Sequence, residues 1–309
     1  MAKPDFWKNN KRYYDLKSYW RNLFGCNVHK LSIDAGFTCP NRDGNIAMGG
    51  CIYCDGRGSK LRQKGELPSI ADQIASGKKY YSAQASKYIA YFQTFTNTYA
   101  PMDKLKALYD EALAQKDVVG LSIGTRPDCI EPDVVALLKG YAKKYHIWVE
   151  LGLQSVQDRT LQIINRGHNF QQFLDAVNAL VGSSINICVH ITIGLPGERD
   201  EDMLTTAKTL ADLPIHGIKI HSLLVLEGTA LGEMYKKGDV KIITKEKYVS
   251  LVCDILEILP PRMVIQRLTA DGYRDILLAP DWAGNKLDVL NAINRELEER
   301  DSYQGKHYR

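Results

Sequence analysis

Along the middle of the chain, short apolar runs rich in β-branched residues alternate with stretches of helical spacing. Candidate strands lie at 30–34, 86–94, 118–123, 147–152, 185–193 and 217–224. Between them the apolar spacing predicts helices at 69–83, 102–114, 132–144, 158–180 (read as two helices) and 199–210. Pro, Asp, Ser or Gly stands near the start of each, as helix N-termini require. Six strands alternating with helices predict a parallel α/β sheet. A closed eight-stranded barrel needs about 250 residues. The six units here occupy roughly 200, which favours an open, partial (β/α)6 barrel over closure, with a doubly wound sheet as the competing topology.

The two ends follow different patterns. Residues 1–29 form a basic, aromatic N-terminal extension, with Tyr13, Tyr14, Tyr19 and Trp20 among Lys11, Arg12, Lys17 and Arg21. The barrel is assigned to 30–227, and 228–309 to a C-terminal extension packed on it. Within that extension, 227–238 reads as a loop with a short helix, 245–259 as a helix, 262–268 as a seventh strand and 284–300 as a charged amphipathic helix. A polar tail follows at 304–309.

Composition narrows the class without naming it. Hydrophobic residues make up 45% and charged residues 25% of 309, so a normal core can form. No apolar run approaches a membrane span, and Met1-Ala-Lys-Pro-Asp-Phe-Trp7 lacks the apolar core of a signal peptide. A cytoplasmic protein with reduced thiols is expected, and seven cysteines, an odd number, argue against a disulfide framework. Charge is uneven. Residues 1–64 carry twelve Lys/Arg against five Asp/Glu, while the rest carries 28 against 31. That asymmetry suits an anionic partner; a solvated Lys-rich surface would show the same balance.

Candidate chemistry concentrates in Gly36-Phe-Thr-Cys39-Pro-Asn-Arg-Asp-Gly-Asn-Ile-Ala-Met-Gly-Gly-Cys51-Ile-Tyr-Cys54, on the loop after the first strand. The C-x2-C pair lets two thiolates approach one inorganic centre. The third cysteine arrives across eleven residues, several of them Gly, whose backbone can wrap closely. Three thiolates on a four-iron cluster leave one iron open to a ligand. A structural zinc site is the alternative, with His29 as its fourth ligand, although such sites normally show two cysteine pairs or a Cys/His set. Cys26, Cys129, Cys188 and Cys253 are isolated and read as buried apolar filler.

In these residues the chain resembles radical S-adenosylmethionine (SAM) enzymes. Their usual motif is C-x3-C-x2-C with an aromatic before the last cysteine, a place that Tyr53 fills here. The longer first spacing is similar to the branch containing the elongator catalytic subunit, and most of all to the YtqA/YhcC-like group. That resemblance extends through Tyr91-Phe-Gln-Thr-Phe-Thr-Asn-Thr-Tyr99, Gly124-Thr-Arg-Pro-Asp128 and Ala279-Pro-Asp-Trp282.

The resemblance implies a [4Fe–4S] cluster on Cys39, Cys51 and Cys54. It implies SAM contacts from Tyr53, from Gln93 and Thr94 (where the family's Gly-Gly-Glu is absent), from Glu150 and Gln154, and from Arg166 to the methionine carboxylate. Gly194 and Gly197 would lie beside adenine with Leu224. His190 and His221 read as satisfied core histidines. The same resemblance implies modification of the C5 side chain of a tRNA wobble uridine, converting carboxymethylaminomethyluridine to aminomethyluridine, with an external electron donor such as flavodoxin or ferredoxin. Arg57, Lys60 and Arg62, with Lys64, would meet RNA, and the aromatics at 13–21 would stack splayed bases. Arg267, Asp271 and Tyr273 would line a substrate pocket. A radical enzyme acting on a small molecule or protein, and a non-catalytic metal-binding module, are the competing classes.

Overall fold

The structure is a computed structural model that describes residues 4, 6, 7, 11–56, 67–270 and 275–308. Nine strands are present among them: β1 (Val28–Ile33), β2 (Lys87–Phe92), β3 (Val118–Thr125), β4 (His146–Gln154), β5 (Ile185–Ile193), β6 (Gly217–Ser222), β7 (Val225–Leu226), β8 (Val264–Arg267) and β9 (Leu277–Ala279). The helices are α1 (Leu16–Phe24), α2 (Ile70–Tyr81), α3 (Met102–Leu113), α4 (Pro132–Ala142), α5 (Asp158–Ile163), α6 (Phe170–Leu180), α7 (Asp200–Ala211), α8 (Ala230–Lys236), α9 (Lys245–Ile258) and α10 (Lys286–Glu299).

Seven strands form one parallel sheet in the order β1-β2-β3-β4-β5-β6-β8. A doubly wound sheet would reverse its order partway; this one runs in sequence order throughout. It curls into a half-barrel, as the alternating pattern predicted. All six predicted barrel strands are found, and the seventh, β8, joins at the edge of β6. The antiparallel β7–β9 ribbon was not anticipated, because two- and three-residue strands leave no periodicity to read.

The main core lies between sheet and outer helices, where Ile33, Phe92, Leu121, Val149, Ile187 and Ile220 meet Ile74, Tyr109, Leu138, Phe173, Leu210 and Leu256. Helix starts follow the capping logic. Ser69, Asn169 and Thr244 each accept a backbone N–H of the first turn.

The N-terminal extension closes the opposite mouth of the barrel from the cysteine loop. Trp7 and Tyr14 pack with Trp148, Cys188 and Val264, near the N-terminal ends of β4, β5 and β8. Trp20 packs with Val28 and Ile89. The Trp7 indole donates to Pro261 O at 3.1 Å, and Ile265 N donates to Tyr14 O at 2.8 Å. Base stacking by this arm is therefore corrected: Tyr13, Tyr14 and Trp20 are buried against the barrel. The C-terminal tail is anchored by Gln304, which is fully buried and donates to Pro260 O and Met263 O at 2.7 and 2.8 Å. Cys129, Cys188 and Cys253 are buried as expected, whereas Cys26 is half-buried. No helix among the described residues is long and apolar enough to cross a membrane.

Candidate active site

Parallel strands deliver their following loops to one end of the sheet, where α/β proteins place chemistry. The cysteine loop sits there. Its turns are closed by Arg42 N and Asp43 N donating to Cys39 O at 2.8 and 3.1 Å, and by Cys54 N donating to Cys51 O at 2.9 Å. The loop is then clamped onto residues 164–168. Ile52 N donates to Ile164 O at 3.1 Å, Asn41 Nδ2 to Asn165 O at 2.7 Å, and Asn165 Nδ2 to Gly50 O at 2.8 Å. From the C-terminal extension, Leu231 N donates to Ile52 O at 2.8 Å.

Gly167 makes the clamp possible. Its φ is +76°, and a Cβ there would collide with the Asn41 side-chain oxygen, well inside van der Waals contact distance. Gly167→Ala should cost about 1–3 kcal/mol through strain and collision and lower the iron retained per chain. A denaturant titration and an iron assay on the reconstituted protein check both.

Cys39, Cys51 and Cys54 line one cavity of about 500 Å³. Arg166, buried behind Cys51, donates from Nη1 to Cys51 Sγ at 3.4 Å and from Nε to Gly152 O at 3.2 Å and His168 Nε2 at 3.0 Å. Burial opposes ionisation of Cys51, but the Arg166 guanidinium and its hydrogen bond outweigh it and hold the thiol below its ordinary value. Burial, then the adjacent Cys51, push Cys54 up to about 11. Arg126 grips Asp128 through two hydrogen bonds, of 2.9 and 2.8 Å, and donates to Arg166 O at 2.8 Å. The Gly124–Asp128 motif thus braces the arginine that faces Cys51.

The donor set fits an iron–sulfur cluster better than zinc. Among the described residues no three His, Cys, Asp or Glu side chains form a group that could hold a single metal ion. A cubane ligated at three different irons needs thiolates that face one space rather than one point, as these do. Cys51 Sγ already faces two N–H donors, Arg166 and Asn41, the surroundings a thiolate ligand takes. His29 stacks on Tyr81 with ring centroids 3.6 Å apart, away from the cysteines.

Of the other candidate site residues, Tyr53, Gln93, Glu150, Gln154, Arg166, Leu224 and Arg267 line the same cavity. Gln154 does so from a positive φ of 82°, at a register shift between β4 and β5, with its side-chain oxygen accepting from Thr192 Oγ1 at 2.9 Å. A non-glycine residue held there stores strain of the kind found at ligand clamps. Thr94 is fully buried and is not among the lining residues. Gly194 and Gly197, at φ of +91° and +82°, make the turn after β5, where they face Ile243 and Ile163 rather than the cavity. Arg57, Lys60, Arg62, Lys64, Asp271 and Tyr273 lie outside the described residues.

Deeper in the barrel is a polar cluster that sequence reasoning missed. The Glu150 carboxylate, fully buried, accepts from Lys30, Ser122, Lys219 and His190. Lys219 also donates to Tyr91 OH at 2.9 Å, and both ammonium groups lie over the Tyr91 ring, at 4.6 Å for Lys30 and 4.4 Å for Lys219. His190 is satisfied by Glu150, as expected of a core histidine. His221, its ring 5.3 Å from that of His190, is not: its Nε2 is buried with no partner among the described residues. Lys30 and Lys219 carried no motif; only their position on strands that must face inward could have marked them.

The chain belongs to the radical SAM superfamily, whose family model matches residues 41–210, with the radical SAM C-terminal domain model matching 215–299. Its cofactors are those of that superfamily, a [4Fe–4S] cluster and SAM. Over 300 residues it is 45% identical to YtqA of Bacillus subtilis, covering 96% of this chain and 93% of that protein. It is 33% identical over 162 residues to a tRNA uridine(34) acetyltransferase of Methanocaldococcus infernus, covering 51% of this chain and 30% of that protein. The archaeal Elp3 structure from M. infernus shares the fold, with a TM-score of 0.68 at 19% identity; the match covers 90% of this chain and 64% of that one.

Proposed function

We propose that this radical SAM enzyme modifies the C5 side chain of the tRNA wobble uridine, taking carboxymethylaminomethyluridine to aminomethyluridine. The observation that carries the chemistry is the convergence of three cysteines and Arg166 on one cavity at the C-terminal end of the half-barrel. The RNA assignment is supported by the basic N-terminal quarter and by the similarity to an enzyme named for uridine 34 of tRNA.

In this reading Cys39, Cys51 and Cys54 hold the cluster. Arg166 favours the thiolate form of Cys51 and shields its charge. Tyr53, Gln93, Gln154 and Leu224 form the wall against which SAM lies, and Arg57, Lys60 and Arg62 meet the RNA. When bound, cluster and SAM supply a 5′-deoxyadenosyl radical that removes a hydrogen atom.

The substrate carbon between nitrogen and carboxylate is the site to attack, because both neighbours stabilise a carbon radical. An external one-electron carrier, such as flavodoxin or ferredoxin, gives one electron, and SAM ends as methionine and 5′-deoxyadenosine. The substrate radical returns one electron to the carrier and a proton to solvent as a C=N bond forms. Water then splits that imine into the aminomethyl group and glyoxylate.

The test is anaerobic reconstitution followed by reductant, SAM and tRNA from cells that stop at the carboxymethylaminomethyl stage. Formation of 5′-deoxyadenosine together with aminomethyluridine is expected. Cleavage of SAM without any change in that tRNA would replace the substrate and keep the chemistry.

A further inference from the structure

We propose that the cavity floor at Lys219 and Glu150, backed by Lys30 on the other carboxylate oxygen, is a subsite for a carboxylate carried on a slender substrate side chain. The proposal rests on the reading above that this substrate is a modified uridine of tRNA.

Charge is the first argument. Two ammonium groups face one carboxylate, and the nearby histidines do not offset the excess. Burial, and then Lys219, push His190 down to about 4, and burial, then Arg267, hold His221 well below its ordinary value. Both are neutral near pH 7. Cys188 and Tyr91, the other titratable groups of the cluster, are pushed up by burial and then by Glu150, and stay uncharged. Among the described residues the Lys30–Glu150–Lys219 group therefore carries a net positive charge away from water, which an anionic ligand group would neutralise.

Donor counting points the same way. A carboxylate offers about four acceptor positions, and those of Glu150 are taken by Lys30, Ser122, Lys219 and His190. An ammonium has three N–H groups. Lys219 uses one on Glu150 and one on Tyr91 OH; Lys30 uses one on Glu150 and one on Gln266 Oε1 at 2.7 Å. One donor on each remains among the described residues. Independently, His221 Nε2 and Gln266 Nε2 are buried without partners there. Buried polar atoms left unpaired in a native structure mark a missing partner. Lys219, His190, His221 and Arg267 line the same cavity as the three cysteines.

Depth selects the group. Lys219 lies three residues below Ser222, the end of β6, which at about 3.3 Å per residue is roughly 10 Å beneath the rim. A backbone phosphate of folded RNA cannot descend that far, whereas a splayed-out uracil entering the mouth can carry its carboxymethylaminomethyl arm to the floor. Fixing its carboxylate would also fix the adjacent carbon, whose hydrogen is to be removed. Lys219 is then a substrate-binding residue, and Glu150 a positioning residue that holds the two lysines.

Two arms test this on the reconstituted full-length protein. In the first, thermal denaturation is followed with N-methylglycine or with N-methylglycinamide, which keeps the amine and lacks the carboxylate. The acid should raise the Tm of wild type and of Lys219→Arg, and leave Lys219→Met unmoved; the amide should move none of them. Equal responses of wild type and Lys219→Met, or of acid and amide, would overturn the subsite. In the second, KM is measured for tRNA bearing the carboxymethylaminomethyl group and for the same tRNA after methyl esterification. Wild type should prefer the free acid by about tenfold or more, and Lys219→Met should lose that preference. A preference kept by Lys219→Met would also overturn the subsite. Should neither tRNA be turned over, the substrate reading fails, and the first arm still decides the subsite.

Discussion

A Cys54→Ala variant, reconstituted anaerobically with iron and sulfide, is expected to lose the cluster's brown absorbance and to form no 5′-deoxyadenosine. With two cysteines left, the cubane loses one of its three covalent anchors, and Asp55, the carboxylate beside it in the cavity, is a harder and weaker ligand for iron–sulfur clusters than a thiolate. The loop itself should keep its path. Ile52 remains bonded to Ile164 and Leu231, and Asn165 to Gly50. Far-ultraviolet circular dichroism of the variant should therefore match wild type. Cys129→Ala, whose buried thiol lies outside the cysteine cavity, should keep the cluster. A Cys54→Ala protein that still cleaves SAM would refute the ligand assignment.

How much of this was legible in the sequence depends on the scale of the pattern. The strands β1 to β6 carry apolar residues along their outward face, because helices cover that side of the sheet, and such a pattern is readable without an alignment. The cysteine loop was legible because its spacing has few structural explanations. Contacts between distant segments were not. Nothing local in Asn41 or Asn165 says that they staple the loop after β1 to the turn after α5. The aromatic arm misled, because Tyr and Trp beside Lys and Arg look the same whether they await a base or seal a barrel; burial decided for the barrel. Lys30 and Lys219 hid for the opposite reason. A lysine in a strand reads as a solvent-facing position, and only the curl of the sheet turns these two inward toward Glu150.

That inward pair makes Glu150 the residue whose loss should most weaken the fold. Burial alone would raise the Glu150 carboxyl, but Lys219 and Lys30 outweigh it and hold it well below the ordinary carboxylate range. Glu150→Gln keeps the shape and removes the charge, stranding two buried ammonium groups. Breaking a buried ion pair from one side costs about 3–5 kcal/mol, and that loss is expected at pH 7. The pH dependence gives the cause away. In wild type the stability lent by Glu150 is complete above about pH 4.5, its unfolded value, and is lost as pH falls through the lower folded value. The variant should lack that acid limb. On the alkaline side, burial already lowers Lys30 to about 8 in the presence of Glu150. Between that value and the unfolded lysine value of about 10.4, the unfolded chain binds more protons than the folded one, so stability rises with pH. Without Glu150, whose charge raises Lys30, Lys30 deprotonates more readily still, so the variant's rise should begin at lower pH. Denaturant unfolding at about pH 3, 7 and 9.5, which span these windows, should show its deficit largest at pH 7 and smaller at both ends. A deficit equal at all three would mean that packing, not charge, is what Glu150 supplies.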